Sequence, residues 1–327
     1  MALRAGVLGL GVMGRNHARV LAGLDGVEFV GVFDPAPNVP DRIHDCPVVH
    51  DLDALLELGL DYAVVATPTA YHLEMGTRLA NAGIHALIEK PVASTTEDAT
   101  TLRDLFNAKG LIGGVGHIER YNPALQAARQ RIEDGLIGEI YQIATRRQGP
   151  FPGRIADVGV IKDLASHDID LTAWVAQQEY VSVNARTAHR SGRPHEDMVV
   201  AVGTLSSGTI TSHVVNWLTP FKERMTIISG EKGVLVADTL TADLTHYQNG
   251  RIQVAWDQAA AFRGVSEGDM TRFALERKEP LLAEHEAFRD SVLAREPHGI
   301  VTLTEGTRVV EIAERMVADG RTQRLDG

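Results

Sequence analysis

Apolar residues in the first third of the chain recur in two alternating rhythms. Short runs rich in Val, Ile, Leu and Phe stand at Arg4 to Leu8, Val27 to Phe33, Tyr62 to Ala66, Ile84 to Ile88 and Leu111 to Val115, the length of buried strands. Between the later runs, Tyr71 to Asn81 and Thr96 to Ala108 carry apolar residues at helical spacing and stop at Gly83 and Lys109-Gly110, where glycine closes a helix. Strand, helix and strand in this succession predict a doubly wound parallel sheet over residues 1–116. Pro35, Pro37, Pro40 and Pro47 crowd the next connection, so a shortened link is expected where a helix would otherwise stand.

After residue 116 the pattern changes. Helical periodicity at Pro123 to Asp134 and Asp163 to Ala176 is followed by strand-like runs at Tyr180 to Ala188, Met198 to Leu205, Thr209 to Asn216, Arg224 to Ser229, Val234 to Ala237, Asp243 to Tyr247 and Arg251 to Trp256. Turns such as Ser206-Ser-Gly208, Gly230-Glu-Lys-Gly233 and Asn249-Gly250 join them, which predicts a hairpin-rich sheet. Helices at Leu281 to Ala294 and Thr304 to Asp319 close the chain. Residues 117–327 are therefore expected to form a second, α+β domain, and a length of 327 residues suits two cores.

Composition narrows the function classes. With 44% hydrophobic residues and glycines breaking the first apolar run, neither a membrane span nor a signal-peptide core is expected. A single cysteine, Cys46, agrees with a reducing cytoplasm. The net charge of −11, with no block of Lys and Arg, argues against nucleic acid as a partner.

Three stretches carry candidate chemistry. The first, Gly9-x-Gly11-Val12-Met13-Gly14, follows the first strand and opens a helix that Val12, Val20 and Leu21 would seat on the sheet. There the glycines allow a tight bend, approach of a pyrophosphate and close helix packing. Asp34 ends the second strand about twenty positions later, where an acid would bind the adenosine ribose. A carboxylate there repels a 2′-phosphate, and Pro35 to Pro40 contain no Arg, so NAD is expected in preference to NADP; Arg42 is the nearest cation. The second stretch is a pair of turns, Thr67-Pro68-Thr-Ala-Tyr-His72 and Glu89-Lys90-Pro91, both at the carboxyl edge where doubly wound sheets bind ligands. A solvated lysine before a helix-starting proline would read the same way. The third, Asp163-Leu-Ala-Ser-His167, places an acid and an imidazole on one helical face, as either a catalytic pair or an ordinary stabilising one. No metal is expected, since no third ligand completes a recognisable spacing.

Together, Gly9-x-Gly11-x-x-Gly14, Thr67-Pro-x-x-x-His72, Glu89-Lys90-Pro91 and Asp163-x-x-x-His167 make the chain resemble the Gfo/Idh/MocA oxidoreductase family. The resemblance implies a Rossmann domain with Val12, Met13, Thr67, Pro68, His72, Glu89 and Lys90 near the cofactor. It further implies a mostly antiparallel second sheet used to assemble a homodimer or homotetramer, and Lys90, Asp163 and His167 acting on a sugar or polyol carbon. Gly116-His-Ile-Glu-Arg120-Tyr121-Asn122-Pro123, with the segment from Asp157 to Asp170, is similar to the branch that oxidises nucleotide-linked amino sugars. On that likeness Arg120, Tyr121, Asn122 and Arg154 would bind substrate, with Arg146 and Arg147 as further candidates for anionic groups. The expected reaction is oxidation of a secondary hydroxyl, at C3 of a UDP-linked hexose. Dehydrogenation of inositol or free sugar, NAD-dependent glycoside hydrolysis and NAD sensing without turnover stay open beside it.

Overall fold

The computed structural model describes residues 2–153, 158–250 and 266–322 of the chain. It divides into two compact units, one of residues 1–121 with 279–314 and the other of residues 122–278 with 315–327. The first unit thus runs past the expected division at residue 116 to residue 121, and a segment near the C-terminus returns to it.

In the first unit, β1 (Leu3–Leu8), β2 (Val27–Phe33), β3 (Arg42–Ile43), β4 (Cys46–Val49), β5 (Tyr62–Val65), β6 (His85–Glu89) and β7 (Gly113–Gly116) form one sheet in the order β3-β4-β2-β1-β5-β6-β7. All neighbours run parallel except the two-residue β3, which pairs antiparallel with β4. Helices α1 (Val12–Leu21), α2 (Leu52–Leu56), α3 (His72–Asn81) and α4 (Thr96–Ala108) connect the strands. The proline-rich link contributes β3 and β4, followed by the five-residue α2. Every side chain of β5 is buried, as befits a strand covered on both faces. Strand order reverses between β1 and β5, which makes their carboxyl ends the expected ligand crevice. Helix α7 (Pro280–Ala294) belongs to this unit, and its Phe288 and Val292 join the core of Val7, Val32 and Val64.

The second unit contains α5 (Pro123–Glu133), β8 (Ile140–Pro150), α6 (Ser166–Ala176), β9 (Tyr180–Ala188), β10 (Met198–Leu205), β11 (Ile210–Asn216), β12 (Leu218–Gly230), β13 (Gly233–Asp238), β14 (Asp243–Gly250) and β15 (Ser266–Arg272). Its eight strands lie in the order β15-β14-β13-β12-β8-β11-β10-β9. Only β8 and β11 run parallel. One face packs Ile143, Ile228, Leu235, Ala237 and Leu244 against α5 and α6. The final helix, α8 (Leu303–Thr322), starts in the first unit and ends in the second.

Strand β8 was not legible as a strand, although it occupies the middle of the sheet. Its inward positions are Ile143, Thr145 and Arg147, all buried, so its polarity hides its period. The run expected at Arg251 to Trp256 lies outside the described residues. Among the described residues no helix is long and apolar enough to cross a membrane.

Candidate active site

The glycine turn is built by close approach. Gly9 has φ +94°, and a Cβ there would lie 2.8 Å from the Ala66 carbonyl oxygen, so only glycine suits both conformation and space. A Cβ on Gly14 would fall 1.9 Å from the Gly9 carbonyl oxygen, so α1 can sit against the turn only without a side chain there. Gly11 precedes α1 with no side chain capping the helix, and nothing lies within 4 Å of where its Cβ would be. Space is therefore open beside Gly11, and the first amides of a helix have no partner within it, which is where a pyrophosphate would be bound. Val20 and Leu21 are buried as expected, but Val12 is 62% exposed and does not seat the helix; it stands on the helix's outer side at the opening of this cradle. Met13 follows it in the first turn of α1.

Asp34 anchors the same turn. One carboxylate oxygen accepts the Leu10 N–H at 2.7 Å and the other the Ala36 N–H at 2.9 Å. Each oxygen keeps a second lone pair for a ribose hydroxyl, so these residues fit NAD. His50 Nδ1 donates to the Asp34 carbonyl at 2.8 Å.

At the carboxyl ends of β5 and β6, the two motif turns meet at His72. Its ring is buried, with Nε2 2.9 Å from the Thr67 carbonyl and Nδ1 2.9 Å from the Pro91 carbonyl. Burial lowers its pKa, partly offset by these carbonyls and by Glu89. The neutral ring has one N–H and donates to one of these two carbonyls, and Pro68 starts the short turn that leads into its helix. The Thr67 hydroxyl is buried without a partner among the described residues. The Lys90–Pro91 bond is cis. Glu89 is buried, and one of its carboxylate oxygens accepts the Lys90 backbone N–H at 3.0 Å.

In the second unit, Asp163 and His167 do not share one α-helix. Asp163 lies in a π-helical turn, Ile161–Ala165, and His167 is the second residue of α6. Such a turn adds a residue to the helical repeat and is frequent at functional sites. Buried Glu196 holds the start of this turn: its carboxylate accepts the Ile161 N–H at 3.1 Å and its carbonyl the Val160 N–H at 2.9 Å. Asp163 is 5% exposed, and His167 is half-buried. Immediately beside His167, Asp168 forms a buried ion pair with Arg147 at 2.9 Å. That pair corrects the expectation of an anion-binding Arg147, because its guanidinium is only 3% exposed and engaged inside the protein. Arg146 is half exposed beside Glu223.

The other candidates also have partners within the protein. In the first unit Arg120 pairs with Glu305 at 2.7 Å and the Tyr121 hydroxyl donates to the Gly299 carbonyl at 3.1 Å. In the second, Asn122 caps α5 through the Ala124 N–H and donates to the Thr239 carbonyl at 3.0 Å. Arg154 lies outside the described residues. Sequence reasoning missed His17, Glu196 and the pairing role of Arg147. His17 stands three residues past the glycine motif and could have been singled out by its place on a buried helix face; Glu196 carried no local pattern.

Two family models match the chain. Residues 3–117 match the oxidoreductase family with an NAD-binding Rossmann fold, and residues 125–236 match the Gfo/Idh/MocA C-terminal domain. The chain belongs to the Gfo/Idh/MocA oxidoreductase family. As a family member it is an oxidoreductase that binds NAD. UDP-N-acetylglucosamine 3-dehydrogenase from Acidithiobacillus ferrooxidans is 30% identical over 299 residues, 90% of each chain. A structure of that enzyme superposes with a TM-score of 0.84 at 28% identity, covering 99% of this chain and 100% of the other. Inositol 2-dehydrogenase from Rhizobium meliloti is 30% identical over 197 residues, 58% of this chain and 59% of its own. Scyllo-inositol dehydrogenase from Lactobacillus casei, solved with NAD(H) and scyllo-inositol, shares the fold at a TM-score of 0.79 and 20% identity, covering 98% of each chain.

Proposed function

We propose that this oxidoreductase is a dehydrogenase of a secondary sugar hydroxyl, and that its substrate is a UDP-linked amino hexose oxidised at C3. The observation that carries the substrate class is coverage. Likeness to UDP-N-acetylglucosamine 3-dehydrogenase runs through 90% of both chains, whereas that to the Rhizobium inositol enzyme spans 58%.

Bound NAD supplies the hydride acceptor. Gly9, Gly11, Gly14 and the first amides of α1 would hold its pyrophosphate, and Asp34 its ribose. Thr67, Pro68 and Glu89-Lys90-Pro91 belong to the carboxyl edge beside it. Lys90 donates to the reacting oxygen and stabilises charge developing there. His167 takes the hydroxyl proton, since an imidazole titrates near neutrality unless perturbed. Asp163 orients substrate and imidazole. The outer face of the second sheet presents Val200 and Val202 on β10, Tyr247 on β14 and Met270 on β15, between 40% and 64% exposed. A second copy of this chain is the occupant we assign to this face, whose two ends both leave large apolar side chains in water.

The test is NADH formation from NAD with UDP-hexoses, free hexoses and inositols, by the wild-type protein and by Lys90→Ala and His167→Ala. Turnover of a UDP-amino sugar alone, lost in both variants while NADH still binds, is the expected result. Turnover of inositol or free sugar alone would overturn the substrate class. NADH binding without turnover of any would favour a hydrolase or a sensor.

A further inference from the structure

Behind the Glu-Lys-Pro turn, three distant segments of the first unit contribute a continuous chain of buried polar side chains. Glu89 comes from the end of β6, His17 from α1 and His285 from α7; the two rings are fully buried. His17 Nε2 lies 3.0 Å from one Glu89 oxygen, and His17 Nδ1 lies 2.8 Å from His285 Nε2. The rings meet edge-on, at 5.0 Å between centroids and 71° between planes. The other Glu89 oxygen accepts the Lys90 N–H. Two imidazoles and a carboxylate are costly to bury unless each bonds to the next, so a mere packing role would be met at lower cost by apolar side chains.

The positions of the protons follow from satisfaction of donors. Burial would raise the Glu89 pKa, but His17 and Lys90 outweigh it and hold the group ionised, able only to accept. His17 Nε2 therefore carries a hydrogen. Burial pushes the His285 pKa well down, which keeps that ring neutral. His285 Nδ1 has no partner among the described residues. A His17 ring that carries its one hydrogen on Nε2 presents a lone pair at Nδ1, and a second lone pair on His285 Nε2 would face it at 2.8 Å, so the single His285 hydrogen sits on Nε2 and is donated to His17 Nδ1.

We propose that His285 and His17 are positioning residues for Lys90: His285 selects the His17 tautomer that donates to Glu89, and Glu89 fixes the backbone from which Lys90 projects. The claim rests on the reading of Lys90 as the group that touches the reacting oxygen. The charged and titratable groups that face Glu89 are His17 on α1, Lys90 on its own turn and His72 on α3; His285 on α7 faces His17.

Nitrogen NMR of the histidine-labelled full-length protein, without substrate, reads the tautomer directly. His17, assigned by loss of its signals in His17→Gln, is expected as the Nε2–H form in wild type and His285→Gln, whose amide can still donate. In His285→Leu it should shift toward the Nδ1–H form. In turnover, His285→Leu should lower kcat about 10- to 100-fold with KM little changed. The acid limb of its kcat profile should move to higher pH, because Glu89 loses its donor and protonates more readily; His285→Gln should restore both. An Nδ1–H or doubly protonated His17 in wild type would overturn the relay even if His285→Leu does not fold. Equal kinetics in the Leu and Gln variants would also overturn it. Because the tautomer is read without substrate, an error in the activity reading, exposed by turnover in Lys90→Ala, is distinguishable from an error in the relay.

Discussion

The two units place their chemical groups by different means. In the first, backbone does most of the placing: Gly9 and Gly14 let main chain meet main chain, and Asp34 and His72 hold turns by their amides and carbonyls. In the second, buried side chains place α6 against the sheet, through the Arg147–Asp168 pair, with Glu196 beneath the π-helical turn. Backbone placement needs particular residues at fixed local spacing. Side-chain placement needs partners 21 or 35 residues apart with no pattern between them. The first site is consequently written in short motifs and the second largely is not.

The largest expected effect probes the chemistry itself. Lys90→Ala and His167→Ala should each lower kcat by about 10²- to 10⁴-fold, the usual range for a positioned acid or base, with NADH affinity retained in a fluorescence titration. If either variant turned over normally, its unit would have lost its catalytic role. Next, removing one partner of the second unit's buried ion pair by Arg147→Met should cost about 3–5 kcal/mol in denaturant unfolding. The double variant Arg147→Met with Asp168→Leu should recover much of that loss. An equal loss in both would mean that packing, and not the pair, holds α6.

A pH experiment sharpens the contrast further. His213 lies between the Thr145 and Tyr180 hydroxyls, each at 2.8 Å, and burial pushes its pKa down from 6.5 to about 4. The ring is neutral when folded, so the unfolded chain binds more protons below pH 6.5. Its contribution is present above that pH and is lost as pH falls toward 4, by on the order of 3 kcal/mol. His213→Asn should flatten that part of the stability curve; an unchanged slope would show that other groups carry it. Gly14→Ala, whose Cβ would fall 1.9 Å from the Gly9 carbonyl oxygen, should cost at least about 1–3 kcal/mol. Calorimetry should also show a large loss of NADH affinity, since the turn cannot shift without moving the cradle. Unchanged affinity would contradict the backbone account of the first unit.

Most strands of both sheets were legible because their apolar period is intact, and β2, β9 and β10 coincide with their expected ends. Strand β8 escaped because Thr145 and Arg147 occupy inward positions, satisfied by His213 and Asp168. The π-helical turn escaped because one extra residue per repeat leaves the apolar spacing around Asp163 nearly helical. The return of α7 to the first unit was hidden as well, since its own periodicity does not say which sheet its buried face covers. Lys90 and the cofactor turn needed no such long-range knowledge, and His17 lay in plain view without a local reason to connect it to Glu89.

The proposed reaction removes hydride from C3 of a UDP-linked amino sugar. Its most direct test is to incubate the protein with NAD and UDP-N-acetylglucosamine carrying deuterium at C3 of the sugar, and to weigh the reduced cofactor by mass spectrometry. Reduced cofactor that carries the deuterium is the expected result; cofactor reduced without it, or not reduced at all, would overturn the proposed reaction.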